Sequence, residues 1–211
     1  MAPTWNPDIL NRFIAPGIAQ FTEAEIPEPA IAGVQAEYWM ANHFLHSVFL
    51  SQYEGNQRQL AFNIIYRAQA AIEDHKRARE LTSTYLESSK PENPSSNKYY
   101  RALRAWETCL LNLQAFTELV VTLSNTNIFT KGDDTPQEHA YEIANTIKHW
   151  GKRVREGKHH DDDTVPMWLT NSGFSTRNHA LTYVNLADLL ADCAVVANDL
   201  FDPAARCASN T

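Results

Sequence analysis

Apolar side chains recur at intervals of three and four residues through most of this chain, and this period constrains the fold more than any other feature of the sequence. Such spacing places the apolar side chains on one face of an α-helix. The widest face lies within residues 98–124 and consists of Leu103, Trp106, Leu110, Leu113, Phe116, Thr117, Val120 and Leu123. We therefore predict packed helices, with Trp106 in the core.

The same period predicts five helices, and several residues mark their ends. Thr135, Pro136 and Glu138 fit the N-cap, the first position and a capping box of one helix. Gly55 and Gly157 fit the ends of two others. Short polar connections predict an all-α fold, an antiparallel bundle. The expected helices span residues 34–53, 57–85, 98–124, 136–156 and 183–202, with a possible small hairpin at 165–183 before the last.

Residues 1–33 contain half of the ten prolines and predict an extended N-terminal arm with at most one short helix near residues 8–14. Apolar residues of the arm indicate that it packs on the bundle or on a partner. We divide the chain into this arm, a helical-bundle domain at 34–202 and a flexible tail at 203–211. The apolar residues of the arm are Trp5, Ile9, Leu10, Phe13 and Ile14.

The composition limits the class of protein. A length of 211 residues favours one domain, and no run of eighteen apolar residues predicts a membrane span. The N-terminus does not resemble a signal peptide, and three distant cysteines do not suggest disulfides, so we expect a cytoplasmic location. A net charge of -7 argues against broad attachment to nucleic acid or anionic membranes, although it permits a small basic site.

Groups able to do chemistry concentrate in residues 148–163, K-H-W-G-K-R-V-R-E-G-K-H-H-D-D-D. Arg153 and His159 are separated by five residues, and Arg155 and His160 by four. This arrangement, on a helix that precedes a short loop and a final helix, resembles the HEPN superfamily of helical-bundle ribonucleases. The family motif is an Arg followed after four to six residues by a His.

The resemblance implies a metal-independent endoribonuclease without a cofactor, of the toxin or defence type, acting on RNA. Arg153 or Arg155 would stabilise charge on the phosphate, and His159 or His160 would deprotonate the ribose 2'-hydroxyl. A neutral imidazole and a guanidinium suit these two tasks. The resemblance also implies a homodimer, because two such motifs commonly face each other in the family.

Two other interpretations remain open. His159, His160, Asp161, Asp162 and Asp163 are all possible metal ligands, although adjacent side chains rarely converge on one ion. Alternatively, the chain is a non-catalytic helical-bundle interaction protein that binds a protein partner through its N-terminal arm and its tryptophans. These tryptophans are Trp5, Trp39, Trp106, Trp150 and Trp168.

Overall fold

The computed structural model describes residues 6–33, 36–49, 55–90, 93–160 and 163–201. Within them lie seven α-helices, a 3₁₀ turn at Ala36–Tyr38 and three short β-strands. The predicted, mainly helical fold is confirmed, with a small sheet in addition. The helices are α1 (Pro7–Phe13), α2 (Trp39–Phe49), α3 (Gly55–Ser88), α4 (Ser96–Ser124), α5 (Pro136–Lys148), α6 (Trp150–Arg155) and α7 (Tyr183–Phe201), and the strands are β1 (Trp168–Thr170), β2 (Gly173–Ser175) and β3 (Ala180–Thr182).

The two longest helices, α3 and α4, pack side by side in opposite directions. The Cys109 thiol donates a hydrogen bond to the Ala71 carbonyl at 3.3 Å, and the Trp106 indole N–H donates one to the Thr82 hydroxyl at 2.9 Å. Later residues of α3 therefore meet earlier residues of α4, as an antiparallel pair requires. At 1.5 Å per residue, the 34 residues of α3 span about 50 Å.

Trp106 lies at the centre of the core, as its position on the apolar face of α4 predicted. Its side chain is fully buried. Its ring centroid lies 5.0 Å from that of Phe174 and 5.6 Å from that of Tyr183. One residue therefore joins α4 to α3, to β2 and to α7.

The segment predicted as a possible hairpin is a three-stranded antiparallel sheet in the order β1, β2, β3. Leu169, Phe174 and Leu181 lie opposite one another in the register, and all three are buried. They form the face of the sheet that packs on the core. The fold is therefore not purely helical. In this segment the buried side chains recur at every second residue, the period of a β-strand.

The N-terminal residues pack on the helices. Leu10, Ile18 and Phe21 are buried, and the Phe21 ring stacks on that of Tyr85 with centroids 5.5 Å apart. The Tyr100 hydroxyl donates a hydrogen bond to the Ile14 carbonyl at 2.9 Å. Of the apolar residues noted in the arm, Ile9 and Phe13 remain exposed, and Trp5 lies outside the described residues.

Two helix boundaries and one capping contact differ from the prediction. Gly55, with a φ of +53°, is the first residue of α3, where the sequence predicted the end of a helix. The helix expected at 136–156 is divided at His149, two residues before Gly151, whose low helix propensity weakens the helix there. Thr135 caps α5 as predicted, but the Glu138 carboxylate accepts hydrogen bonds from the N–H groups of Gly132 and Asp134. The predicted end of the last helix at residue 202 and the tail at 203–211 lie outside the described residues.

Among the described helices, none combines the length and the apolar character that crossing a lipid bilayer requires.

Candidate functional site

The end of α6 brings the two parts of the Arg–His pattern together. Gly157 adopts a φ of +64°, a conformation that glycine reaches without steric cost. Its N–H bonds to the Val154 carbonyl at 3.2 Å, and the N–H of Lys158 bonds to the Arg153 carbonyl at 2.9 Å. The chain therefore turns back on α6 immediately after the helix, and His159 follows close to Arg153 in space.

A cleft of about 90 Å³ lies where this turn meets the β-sheet. We call it the arginine–histidine cleft. Arg153, His159 and His160 all line it, whereas Arg155 is exposed and is not one of its lining residues. The other lining residues come from α5, α6, the loop after α6, β1 and the turn between β2 and β3: Thr146, Trp150, Lys158, Asp163, Pro166, Trp168, Thr176, Arg177 and Asn178.

Cations outnumber carboxylates around this cleft. Arg153, Lys158 and Arg177 line it, and Asp163 is the one carboxylate that lines it among the described residues. No described side chain pairs with the Arg153 guanidinium, whereas Lys158 pairs with Glu156 at 2.8 Å outside the cleft. A small polar cavity with surplus positive charge attracts an anion, and a guanidinium offers several donors to phosphate oxygens.

Asp163 holds the loop that carries the imidazoles. Its carboxylate accepts a hydrogen bond from Nε of Arg177 at 2.8 Å and forms an ion pair with Nη2 at 2.7 Å, and its side chain is only 6% exposed. Its N–H also donates to the His160 carbonyl at 2.9 Å. The Arg177 guanidinium in turn lies over the Trp168 ring, 5.9 Å from the centroid. The loop is therefore fixed to the turn between β2 and β3.

The two imidazoles have different environments. His159 is half-buried, with its ring edge-on to that of Trp150 at a centroid distance of 6.1 Å. Its Nδ1 is buried and has no hydrogen-bond partner among the described residues. Buried polar atoms in native proteins usually have a partner, so this nitrogen is suited to a hydrogen bond with a ligand or with water. His160 is exposed at the rim of the cleft.

Several of the lining residues could not be found from the Arg–His spacing. Arg177 and Trp168 lie outside the predicted motif, and Asp163 was considered only as a metal ligand. The sequence predicted only a possible hairpin around residues 175–179, S-T-R-N-H. It gave no sign that this turn would meet the loop after α6, since that contact depends on how the sheet packs against α5.

The metal interpretation gains no support from the described part of the chain. No group of three or more His, Cys, Asp or Glu side chains is placed there to hold an ion. Two of its five proposed ligands, Asp161 and Asp162, lie outside the described residues. Asp163 pairs with Arg177.

In comparisons with known proteins, no protein family, curated protein or solved structure matches this chain.

Proposed function

We propose that the protein is a metal-independent endoribonuclease of the HEPN type, with the arginine–histidine cleft as its active site. One observation carries the proposal: Arg153 and His159, which one of the two motif matches pairs, line the same small cavity, and His160 lines it too. Arg155 is exposed outside it, so Arg153 is the phosphate-binding arginine in this proposal. The toxin or defence role and the cytoplasmic location belong to the proposal as well.

The chemistry follows from having two imidazoles near one guanidinium. One neutral imidazole accepts the proton of the ribose 2'-hydroxyl, and the resulting oxygen attacks the neighbouring phosphorus. The bond between phosphorus and the 5'-oxygen breaks, leaving a 2',3'-cyclic phosphate. The second imidazole, protonated, supplies a proton to the departing 5'-oxygen. Arg153 stabilises the negative charge that develops on the phosphoryl oxygens.

The size of the cleft favours a phosphate over a nucleobase as the group that enters it. At about 90 Å³ with mostly polar lining, it accommodates the reacting phosphate and little more. Trp150 and Trp168 are half-buried at its walls and offer surfaces on which unpaired bases stack. Single-stranded RNA is therefore the proposed substrate. We further propose that two copies form a homodimer, as the HEPN resemblance implies.

The test is cleavage of single-stranded RNA by the parent protein and four variants. Arg153→Ala and the double variant His159→Ala/His160→Ala should lose at least ~100-fold in rate, because each removes charge stabilisation or proton transfer. Arg155→Ala and His149→Ala are matched controls on the same segment, since both side chains are exposed and neither lines the cleft. Both controls should cleave at the parental rate.

Further arms of the same assay separate the alternatives. EDTA should leave the rate unchanged, because no step uses a metal. Loss of cleavage in EDTA would instead favour a metal site near Asp161 and Asp162. Equal loss in Arg153→Ala and Arg155→Ala would contradict the assignment of the arginine. A parent that cleaves none of a varied set of RNAs would overturn the enzyme proposal.

One observation favours the second candidate, a non-catalytic interaction protein. Phe44 and Phe62 are 64% and 43% exposed and line a cavity of about 470 Å³ between α2 and α3. Exposed aromatic side chains beside a cavity are typical of protein-binding surfaces. Trp39 and Trp106 are fully buried, so neither can contact a partner as the sequence had suggested.

A further inference from the structure

A second cationic site lies on the outer side of the α3–α4 pair. Arg77 from α3 and Arg101 and Arg104 from α4 line a groove of about 170 Å³, nearly twice the volume of the arginine–histidine cleft. We call it the arginine groove. All three arginines are exposed, while Leu81 and Ala105 supply its apolar lining. Since consecutive turns of two antiparallel helices present these side chains, the backbone beneath them is rigid.

The described carboxylates balance the positive charge of this groove only in part, since Asp74 lies near Arg77 and Glu107 near Arg104. No described carboxylate forms an ion pair with the side chain of Arg77, Arg101 or Arg104. Arg79 and Arg177 do have such partners, in the pairs Arg79–Glu28 and Arg177–Asp163. Three guanidinium groups around one small volume repel one another, and a bound anion would relieve that repulsion.

Asp74 is the one carboxylate that lines the groove among the described residues. One of its oxygens accepts a hydrogen bond from the Asn112 amide at 2.9 Å, and Asn112 in turn accepts one from Arg67 at 2.7 Å. Asp74 is thus tied into a polar chain between the two helices. Three cations and one carboxylate leave the groove with a surplus of two positive charges.

We propose that the arginine groove is a binding site for a phosphate-bearing ligand. A guanidinium pairs with phosphate oxygens two at a time, and several guanidinium groups can share one phosphoryl group or two adjacent ones. A carboxylate has a single charge and two oxygens, so it would satisfy one of the three arginines. The ligand is therefore a free diphosphate or triphosphate, or the backbone of a nucleic acid.

The binding test uses two probes that the proposed ribonuclease reaction cannot cleave, because both lack a ribose 2'-hydroxyl. The probes are pyrophosphate and a short oligothymidylate. Binding is measured by isothermal calorimetry at low and moderate salt. The triple variant Arg77→Gln/Arg101→Gln/Arg104→Gln should bind the preferred probe at least ~10-fold more weakly. If the oligothymidylate binds, the slope of log affinity against log salt should fall by about 2, since each neutralised phosphate on a single strand contributes ~0.7.

A matched control removes the same charge elsewhere. Arg58, Lys90 and Lys131 are exposed and lie outside the groove, so Arg58→Gln/Lys90→Gln/Lys131→Gln should bind like the parent. Circular dichroism of both triple variants verifies the fold. Preference for pyrophosphate would identify a free phosphate as the ligand, and preference for the oligothymidylate a nucleic-acid backbone. Equal weakening in both triple variants, or no binding of either probe to the parent, would overturn the proposal.

Phosphate binding in the arginine groove does not depend on the proposed ribonuclease activity. Arg153→Gln alters the arginine–histidine cleft and leaves the arginine groove intact. Any probe binding that this variant retains should therefore be weakened when the three groove arginines are also replaced. If the protein binds phosphate in the arginine groove but does not cleave RNA, this proposal holds and the ribonuclease proposal fails. Probe binding that Arg153→Gln alone abolishes would contradict it.

Discussion

At the scale of single residues, His75 is a buried titratable group in the core. It is 2% exposed, and its Nε2 has no hydrogen-bond partner among the described residues. Its ring lies edge-on to that of Trp106, 5.3 Å between centroids. Burial lowers its pKa to about 4, with a further lowering by Arg79 and a small opposing effect of Glu28. The imidazole is therefore neutral in the folded protein near pH 7.

This pKa makes stability depend on pH in a defined direction. Between the unfolded pKa of 6.5 and the folded value of about 4, only the unfolded chain binds the proton. The contribution of the neutral His75 imidazole to the free energy of unfolding is fully present above pH 6.5. This contribution is lost as the pH falls from 6.5 towards 4. The free energy of unfolding should drop by about 2 kcal/mol between pH 7.5 and 4.5.

Urea unfolding at several pH values measures this drop, and His75→Leu is the comparison. The variant keeps an apolar side chain of moderate size and cannot be protonated, so most of the difference between pH 7.5 and 4.5 should disappear. Identical pH profiles in the parent and the variant would show that other groups, such as the carboxylates, cause the acid sensitivity.

At the scale of elements, the sheet depends on one glycine. A Cβ added at Gly173 would lie 2.0 Å from the Leu181 carbonyl oxygen and 2.7 Å from the Thr182 Cα, so β2 and β3 could not keep their spacing. Because both contacts are with backbone, no side-chain rotation relieves them. Gly173→Ala should destabilise the protein by at least about 2 kcal/mol, in the range of overpacked cores.

Gly151 in α6 is the matched control, because a Cβ there meets no atom within 4 Å. Gly151→Ala should stabilise the protein by about 0.5 to 1 kcal/mol, as alanine does in a helix interior. Thermal melts of Gly173→Ala and Gly151→Ala, compared with the parent, measure both changes in stability. A Gly173→Ala variant that melts with the parent would mean that β2 and β3 do not pair in this register.

Some of these elements could be predicted from the sequence, and others could not. The helices α3, α4 and α7 follow from the local period of their apolar residues. The break at His149 and the third strand were not predicted, because neither has a strong local signal. For the candidate site, the Arg–His spacing selected Arg153, Arg155, His159 and His160, and all of these except Arg155 line the cleft. Arg177 and Trp168 were missed because their place in the cleft depends on how the sheet packs.

At the scale of the whole molecule, Trp106 connects the helices to the sheet. Trp106→Ala should reduce the free energy of unfolding by about 3 to 5 kcal/mol, since it leaves a large cavity among α3, α4, β2 and α7. Trp106→Phe keeps an aromatic ring but removes the hydrogen bond to Thr82, and should lose less. Chemical denaturation followed by circular dichroism measures both variants.

The two variants also test whether the molecule unfolds as one unit. Sheet and helices should lose structure in a single transition in the parent and in Trp106→Phe. A Trp106→Ala variant as stable as the parent, or one in which the helices unfold at the parental denaturant concentration, would show that Trp106 does not join the two parts.

The arginine–histidine cleft has a consequence for how the molecule moves. Every described residue that lines it falls between positions 146 and 178, so the site is built almost entirely from neighbours along the chain. Contacts between sequence neighbours close short loops, which takes little entropy. We expect the end of α6 and the turn at Gly157 to open and re-form locally while the sheet and the α3–α4 pair stay folded. A long ligand could then enter sideways and be enclosed, without threading one of its ends.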